Sequence, residues 1–286
     1  MKKIIAIALV ALMLISLVAC NADDTSDLTN IGDYAAPSYT YTTDTGVFTY
    51  REAAGDTAII TDYKSTTTEP HKVVIPDAVG EANDRIVTGI GAEAFKQSGA
   101  YVSAVTIPAT VVTIENGAFH SCNSLTEIAI PDSVEIIGNL TFYGCTALTT
   151  VTIGSESALE SIGDYAFSDC TSLESFTFSA CLENIGTGAF KGSAINKVDL
   201  PVSVKTVGDQ AFVECANLNY DGCVILTEGI TSLSKYSFPE SIVDYIVIPE
   251  GSYAYEFFYG AEDEEETTTE EASTEGSEEQ STEADA

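Results

Sequence analysis

The chain has 286 residues, 45% of them apolar, enough for one large core or two small ones. Acidic residues outnumber basic ones 44 to 11, a formal net charge of −33. Like charge repels, so nucleic acid and anionic membrane surfaces are poor partners.

Lys2 and Lys3 precede an almost uninterrupted apolar run from Ile4 to Val18. The run is too short and wrongly flanked for a spanning helix, and reads as a secretory signal peptide over residues 1–19. It ends Leu17-Val18-Ala19-Cys20, which resembles the bacterial lipobox. That resemblance implies a diacylglyceryl thioether on Cys20 and cleavage that makes Cys20 the first residue. The other reading is an ordinary cleavage site followed by a chance cysteine. Two or three acyl chains hold a protein on a membrane durably, where one binds only marginally. The expected address is the extracellular face of a bacterial membrane, lipid-anchored. Residues 20–46 are rich in Asp, Thr, Ser and Ala and read as a flexible tether.

The domain is expected over residues 47–260 and opens on an entry cap. Val47-Phe48-Thr49-Tyr50 alternates like a strand, and Ala58 to Tyr63 is a second β-prone run. Lys72-Val73-Val74-Ile75-Pro76 follows, the first case of an apolar run stopped by Pro, which has no amide donor for a ladder. Arg85 to Gly91 then starts an array, whose open end these first strands cover.

The array is marked by Phe95, Phe119, Phe142, Phe167, Phe190, Phe212 and Phe238, at spacings of 24, 23, 25, 23, 22 and 26. A period of this size means stacked coils, none able to bury its apolar face alone. An aliphatic-Gly pair precedes most anchors: Ile90-Gly91, Ile137-Gly138, Ile162-Gly163, Ile185-Gly186 and Val207-Gly208; the second coil has Glu115 instead. The glycine suggests a turn that needs positive φ. After each Phe comes a turn and then a short triplet: Val105-Thr106-Ile107, Ile128-Ala129-Ile130, Val151-Thr152-Ile153, Phe176-Thr177-Phe178, Val198-Asp199-Leu200. Period two puts the outer pair in the core and the middle residue in solvent, on one parallel sheet.

Ile130-Pro131, Val134, Ile137-Gly138, Phe142, Cys145 and Leu148 spell a phrase that resembles the BspA-like (Treponema pallidum-type) leucine-rich repeat. The resemblance runs from about Val73 to Gly260. Gly154 and Ser179 stand where the repeat usually has Pro, and Ser98 and Ser193 stand near its Cys position. It implies a β-rich leucine-rich-repeat solenoid of about seven coils with short helical turns, capped at both ends. It also implies a role in cell-surface binding, to protein or matrix.

Cys122, Cys145, Cys170 and Cys215 each fall three residues after their Phe, so they form a column of buried thiols, free unless stacked neighbours bond. Cys181 and Cys223 are off the pattern. No C-x-x-C spacing occurs, so no zinc site is expected. Ser252 to Tyr259 reads as a closing amphipathic helix with Tyr253, Phe257 and Phe258 turned inward. From Glu262 the chain has twelve acidic residues and no basic one, so residues 261–286 read as a disordered tail.

Two histidines, His71 and His120, sit at expected exposed positions without triad partners, so no catalytic residue, cofactor or metal is expected and the chain reads as no enzyme. The bet falls instead on exposed sheet positions. One column is Ala104, Glu127, Thr150, Ser175 and Lys197; its neighbour is Thr106, Ala129, Thr152, Thr177 and Asp199. Small polar groups on a rigid face suit an extended protein or glycan partner. A monomeric, membrane-tethered adhesin-like module is the first reading. A structural envelope spacer, or a recognition domain presenting a partner enzyme, are the others.

Overall fold

A computed structural model describes residues 37–259. The expected signal peptide, the anchor Cys20, the start of the tether and the acidic tail lie outside the described residues.

Strands run in chain order β1 (Ser38–Thr42), β2 (Gly46–Ala53), β3 (Thr57–Ser65), β4 (His71–Val74), β5 (Ala78–Val79), β6 (Arg85–Ile90), β7 (Val102–Thr106), β8 (Thr113–Ile114), β9 (Glu127–Ile130) and β10 (Ile136–Ile137). They continue as β11 (Thr150–Ile153), β12 (Ser161–Ile162), β13 (Asn184–Ile185), β14 (Val198–Asp199), β15 (Thr206–Val207), β16 (Val224–Ile225), β17 (Ser232–Leu233) and β18 (Ile246–Val247). The chain winds as a solenoid of about seven turns.

Strands line two sides of it, not the one expected. The triplets form a four-stranded parallel sheet, β11-β9-β7-β4, and a three-stranded one, β14-β16-β18. The aliphatic residues before the repeat glycines form the other side. There β8, β10, β12, β13, β15 and β17 pair in parallel, with Ile114, Ile137, Ile162, Ile185, Val207 and Leu233 in line. Each of these strands is two residues long, too short for an alternating pattern to show in the sequence. The same sheet continues through β6, β3, β2 and β1 into the entry cap.

Between the two sides runs a column of rings. Phe119 and Phe142 stack at 5.2 Å and 4°, Phe167 and Phe190 at 5.2 Å and 7°, Phe212 and Phe238 at 5.2 Å and 2°. Phe95 joins this column to Tyr63 and Phe48 of the cap. Each ring is buried, and burying a Phe side chain contributes roughly 1.5–3 kcal/mol.

The turns that carry the Phe are successive i→i+3 turns, with short 3₁₀ helices only at Gly99–Tyr101 and Glu240–Tyr245 among the described residues. Their amides also bond along the stack: Leu140 N donates to Asp164 O at 2.8 Å, Phe142 N to Ala166 O at 2.7 Å, Gly144 N to Ser168 O at 2.9 Å. The repeat glycines are not the positive-φ residues. A Cβ on Gly138 would stand 2.7 Å from Asn116 N, and one on Gly186 2.6 Å from Asp164 N. Glycine is required there because the preceding coil's backbone passes so close. Positive φ falls instead two residues before the Phe, at Glu93, Gly117, Leu140, Tyr165, Gly188 and Gln210.

Four further expectations are corrected. First, β1 lies inside the stretch read as tether: Tyr39 and Tyr41 alternate against Tyr50 and Phe48, and Thr43 N to Gly46 O closes the hairpin at 2.8 Å. Second, Phe176-Thr177-Phe178 is not a strand. Phe176 sits 5.1 Å from Phe167 and 5.0 Å from Phe190, and Phe178 5.7 Å from Phe190. These two large rings take positions that the flanking coils fill with Val151 and Ile153, and with Val198 and Leu200. Among the described residues, no backbone N–H from 174 to 180 donates to a backbone carbonyl. Third, the closing helix α1 (Tyr253–Tyr259) turns Ala254 and Phe258 inward and leaves Tyr253 and Phe257 exposed. Residues four apart share a helix face, so choosing 254/258 excludes 253/257. Fourth, His71 and His120 are half-buried. His71 Nε2 meets Tyr63 Oη at 2.9 Å and its Nδ1 meets Thr67 Oγ1 at 2.8 Å. His120 stacks on Tyr143 at 5.2 Å.

Candidate functional site

The thiol column is a structural ladder. Cys145 Sγ donates to Phe119 O at 3.1 Å, Cys170 to Phe142 O at 3.2 Å and Cys215 to Phe190 O at 3.1 Å. Burial pushes the Cys145 thiol up to about 12 and Cys215 to about 11. A thiol that stays protonated is neither nucleophile nor metal ligand. All six described cysteines are free, and Cys181 alone among them is exposed. Among the described residues no three His, Cys, Asp or Glu side chains gather around a metal-sized space.

The exposed face of the four-stranded sheet is different. Parallel register puts Lys72, Ala104, Glu127 and Thr150 in one row across β4, β7, β9 and β11. The next row is Val74, Thr106, Ala129 and Thr152. Beneath them Val105, Ile128 and Val151 are buried, so the rows stand on a packed floor. Around the small side chains of Ala104, Thr106 and Ala129 lies a concavity of about 390 Å³, whose lining includes Lys72, Thr106, Glu127, Thr150 and Thr152.

Four of the eight expected residues therefore meet: Thr106, Glu127, Thr150 and Thr152. Ser175 and Thr177 do not line the concavity, and their stretch forms no strand beside β11. Lys197 and Asp199 lie beyond that break, paired with each other at 3.3 Å. Two members of the face were missed, Lys72 and Val74, the latter 57% exposed. Their signal was present, since Lys72 to Pro76 has the same apolar-then-Pro phrase as the later triplets.

Among the described residues neither Glu127 nor Lys72 forms an ion pair or a side-chain hydrogen bond. Ion pairs form elsewhere, as between Lys205 and Glu183 at 2.6 Å and Arg51 and Glu115 at 3.3 Å, but among the described residues Asp132, Glu135, Glu156 and Glu160 of the same coils have none either.

A family profile described as the BspA type leucine rich repeat region matches residues 88–219 and 195–262, with six copies. A leucine-rich repeat protein from Bacteroides ovatus superposes with a TM-score of 0.52 at 24% identity, over 74% of this chain and 53% of that one. A leucine rich cell surface protein from Faecalibacterium prausnitzii gives 0.48 at 29% identity, over 68% of this chain and 54% of that one. The T. pallidum leucine rich repeat protein gives 0.45 at 26%, over 68% of this chain and 88% of that one. The chain thus spans about half the length of the first two. The Bacteroides likeness shows the leucine-rich-repeat fold. No curated protein matches the chain.

Proposed function

The chain belongs to the BspA-type leucine-rich-repeat family, and on that premise we propose that it is a non-catalytic binding module held on the outside of a bacterial membrane. The face around Thr106, Glu127, Thr150 and Thr152 takes the partner, an extracellular protein or glycan. One observation carries this reading. The four-stranded sheet presents a shallow, open concavity of small side chains on a hydrogen-bonded, packed floor. Such a surface is already in place before a partner arrives, so the entropy lost in ordering it on association is small.

The remaining parts fit the same role. The lipobox-like Leu17-Val18-Ala19-Cys20 supports cleavage and acylation at Cys20. The Asp- and Thr-rich residues after it support a spacer between membrane and repeats, and the acidic residues from Glu262 a solvated end.

The test is retention of the full-length protein on a panel of purified matrix proteins and glycans. Thr106→Arg with Thr152→Arg fills the concavity and is expected to abolish every retention the wild type shows. Ile136→Arg, an exposed position on the other sheet, is expected to retain it. Equal retention by both variants, or none by the wild type on any surface, contradicts the reading.

A further inference from the structure

We infer that the partner reaching this face is an extended polypeptide that places a Lys or Arg side chain on Glu127. The inference rests on the binding-face reading above and narrows it.

Three observations carry it. First, Glu127 lines the concavity, with Ala104 and Thr150 beside it in register and Ala129 two residues on. None of these neighbours is charged. Glu127 is exposed on this face, and among the described residues it forms no ion pair. Second, apart from Lys72 at one end of its row, the charge on the neighbouring coils has one sign. Between Lys96 and Lys191 the chain has ten acidic residues and no Lys or Arg. A cationic partner is drawn to these coils and an anionic one is repelled. Third, no aromatic ring lines the concavity. Sugars are commonly held by stacking their C–H faces on aromatic rings, and this floor offers none. An Arg or Lys from an extended chain satisfies Glu127 with charge-assisted hydrogen bonds, while Thr106, Thr150 and Thr152 offer hydroxyls to its backbone.

Lys72 sets the polarity. It heads the same row as Glu127, two strands away, so roughly 10 Å apart. Its charge opposes a cation at that end and selects which way a basic segment lies.

The probe is a short alternating Lys-Ala peptide titrated into the full-length protein, read by amide chemical shifts. Its acetyl-lysine counterpart serves as the neutral control. The expected result is a shift centred on β9 and its neighbours. Glu127→Gln weakens binding about tenfold or more, the loss expected for a charge-assisted bond. Glu160→Gln, the same charge change at an exposed site off this face, weakens it less than about twofold. Lys72→Gln tightens it. Equal weakening by Glu127→Gln and Glu160→Gln shows only diffuse attraction to an acidic protein and overturns the inference. So does equal binding of the acetyl-lysine peptide, or of a neutral oligosaccharide at the same face with no response to the Lys peptide. If Thr106→Arg with Thr152→Arg still abolishes matrix retention while Glu127→Gln leaves peptide binding unchanged, the face stands and the cationic partner falls. If that double variant retains its matrix partner, the face itself falls.

Discussion

At the scale of single residues, repetition goes with burial and variation with exposure. The ring and thiol positions that recur along the stack are buried: Phe142 and Cys145 are fully inaccessible, and so are Phe119 and Cys122. Positions that change between coils are exposed, as Glu127 and Thr150 are. The thiols give a pH-dependent test. Burial raises the thiols of Cys122, Cys145, Cys170 and Cys215, with Cys145 at about 12 and Cys215 at about 11. Unfolded thiols lose their protons from about pH 8.5, while the folded ones keep them. The folded state then binds more protons, so stability falls as pH rises from about 8.5 towards 11–12 and is unaffected by these groups below that. Each thiol contributes a slope of about 1.4 kcal/mol per pH unit in that window. Urea unfolding at neutral and alkaline pH is expected to show a smaller alkaline loss in Cys145→Ser with Cys215→Ser than in the wild type. Serine already serves in this column at Ser98 and Ser193, both buried. An identical alkaline loss in both proteins would mean that the thiols are not held protonated by burial. The buried role of Phe and Cys was readable because one side chain solves the same packing problem in each coil. The positive-φ sites were not, because their occupants Glu93, Leu140, Tyr165 and Gln210 share no chemistry; the stack's hydrogen bonds impose the conformation.

At the scale of elements, what the sequence showed depended on strand length. The four-residue strands β9 and β11 alternate visibly. The two-residue strands of the other sheet do not, and their glycines point to the turn, not to the close approach of the preceding coil that actually requires them. In β1, the Asp- and Thr-rich context masked a Tyr39-x-Tyr41 alternation that pairs with β2. At Phe176-Thr177-Phe178 the alternation was present but the sheet is interrupted. That break is testable by amide hydrogen exchange. The amides of Phe176, Thr177 and Phe178 are expected to exchange much faster than those of Ile128 and Val151, which lie in paired strands. Comparable protection across these residues would mean that the sheet is continuous through this coil.

At the scale of the whole molecule, a strongly acidic chain carries a regular repeat body with a shallow recess on its four-stranded sheet. The repeat and its period were legible because stacking forces the same phrase to recur. The site was legible only in part: columns can be read from repeat positions, and the Lys72-Val73-Val74-Ile75-Pro76 phrase marked the cap strand that joins them, whereas the break after β11 could not be read. The central claim is that the exposed residues of this face carry binding and not stability. It is tested most directly by Glu127→Ala with Thr150→Ala and Thr152→Ala, with thermal unfolding and retention measured on the same sample. The expected result is an unfolding midpoint close to that of the wild type together with lost retention. Unchanged retention by a folded variant would contradict the claim.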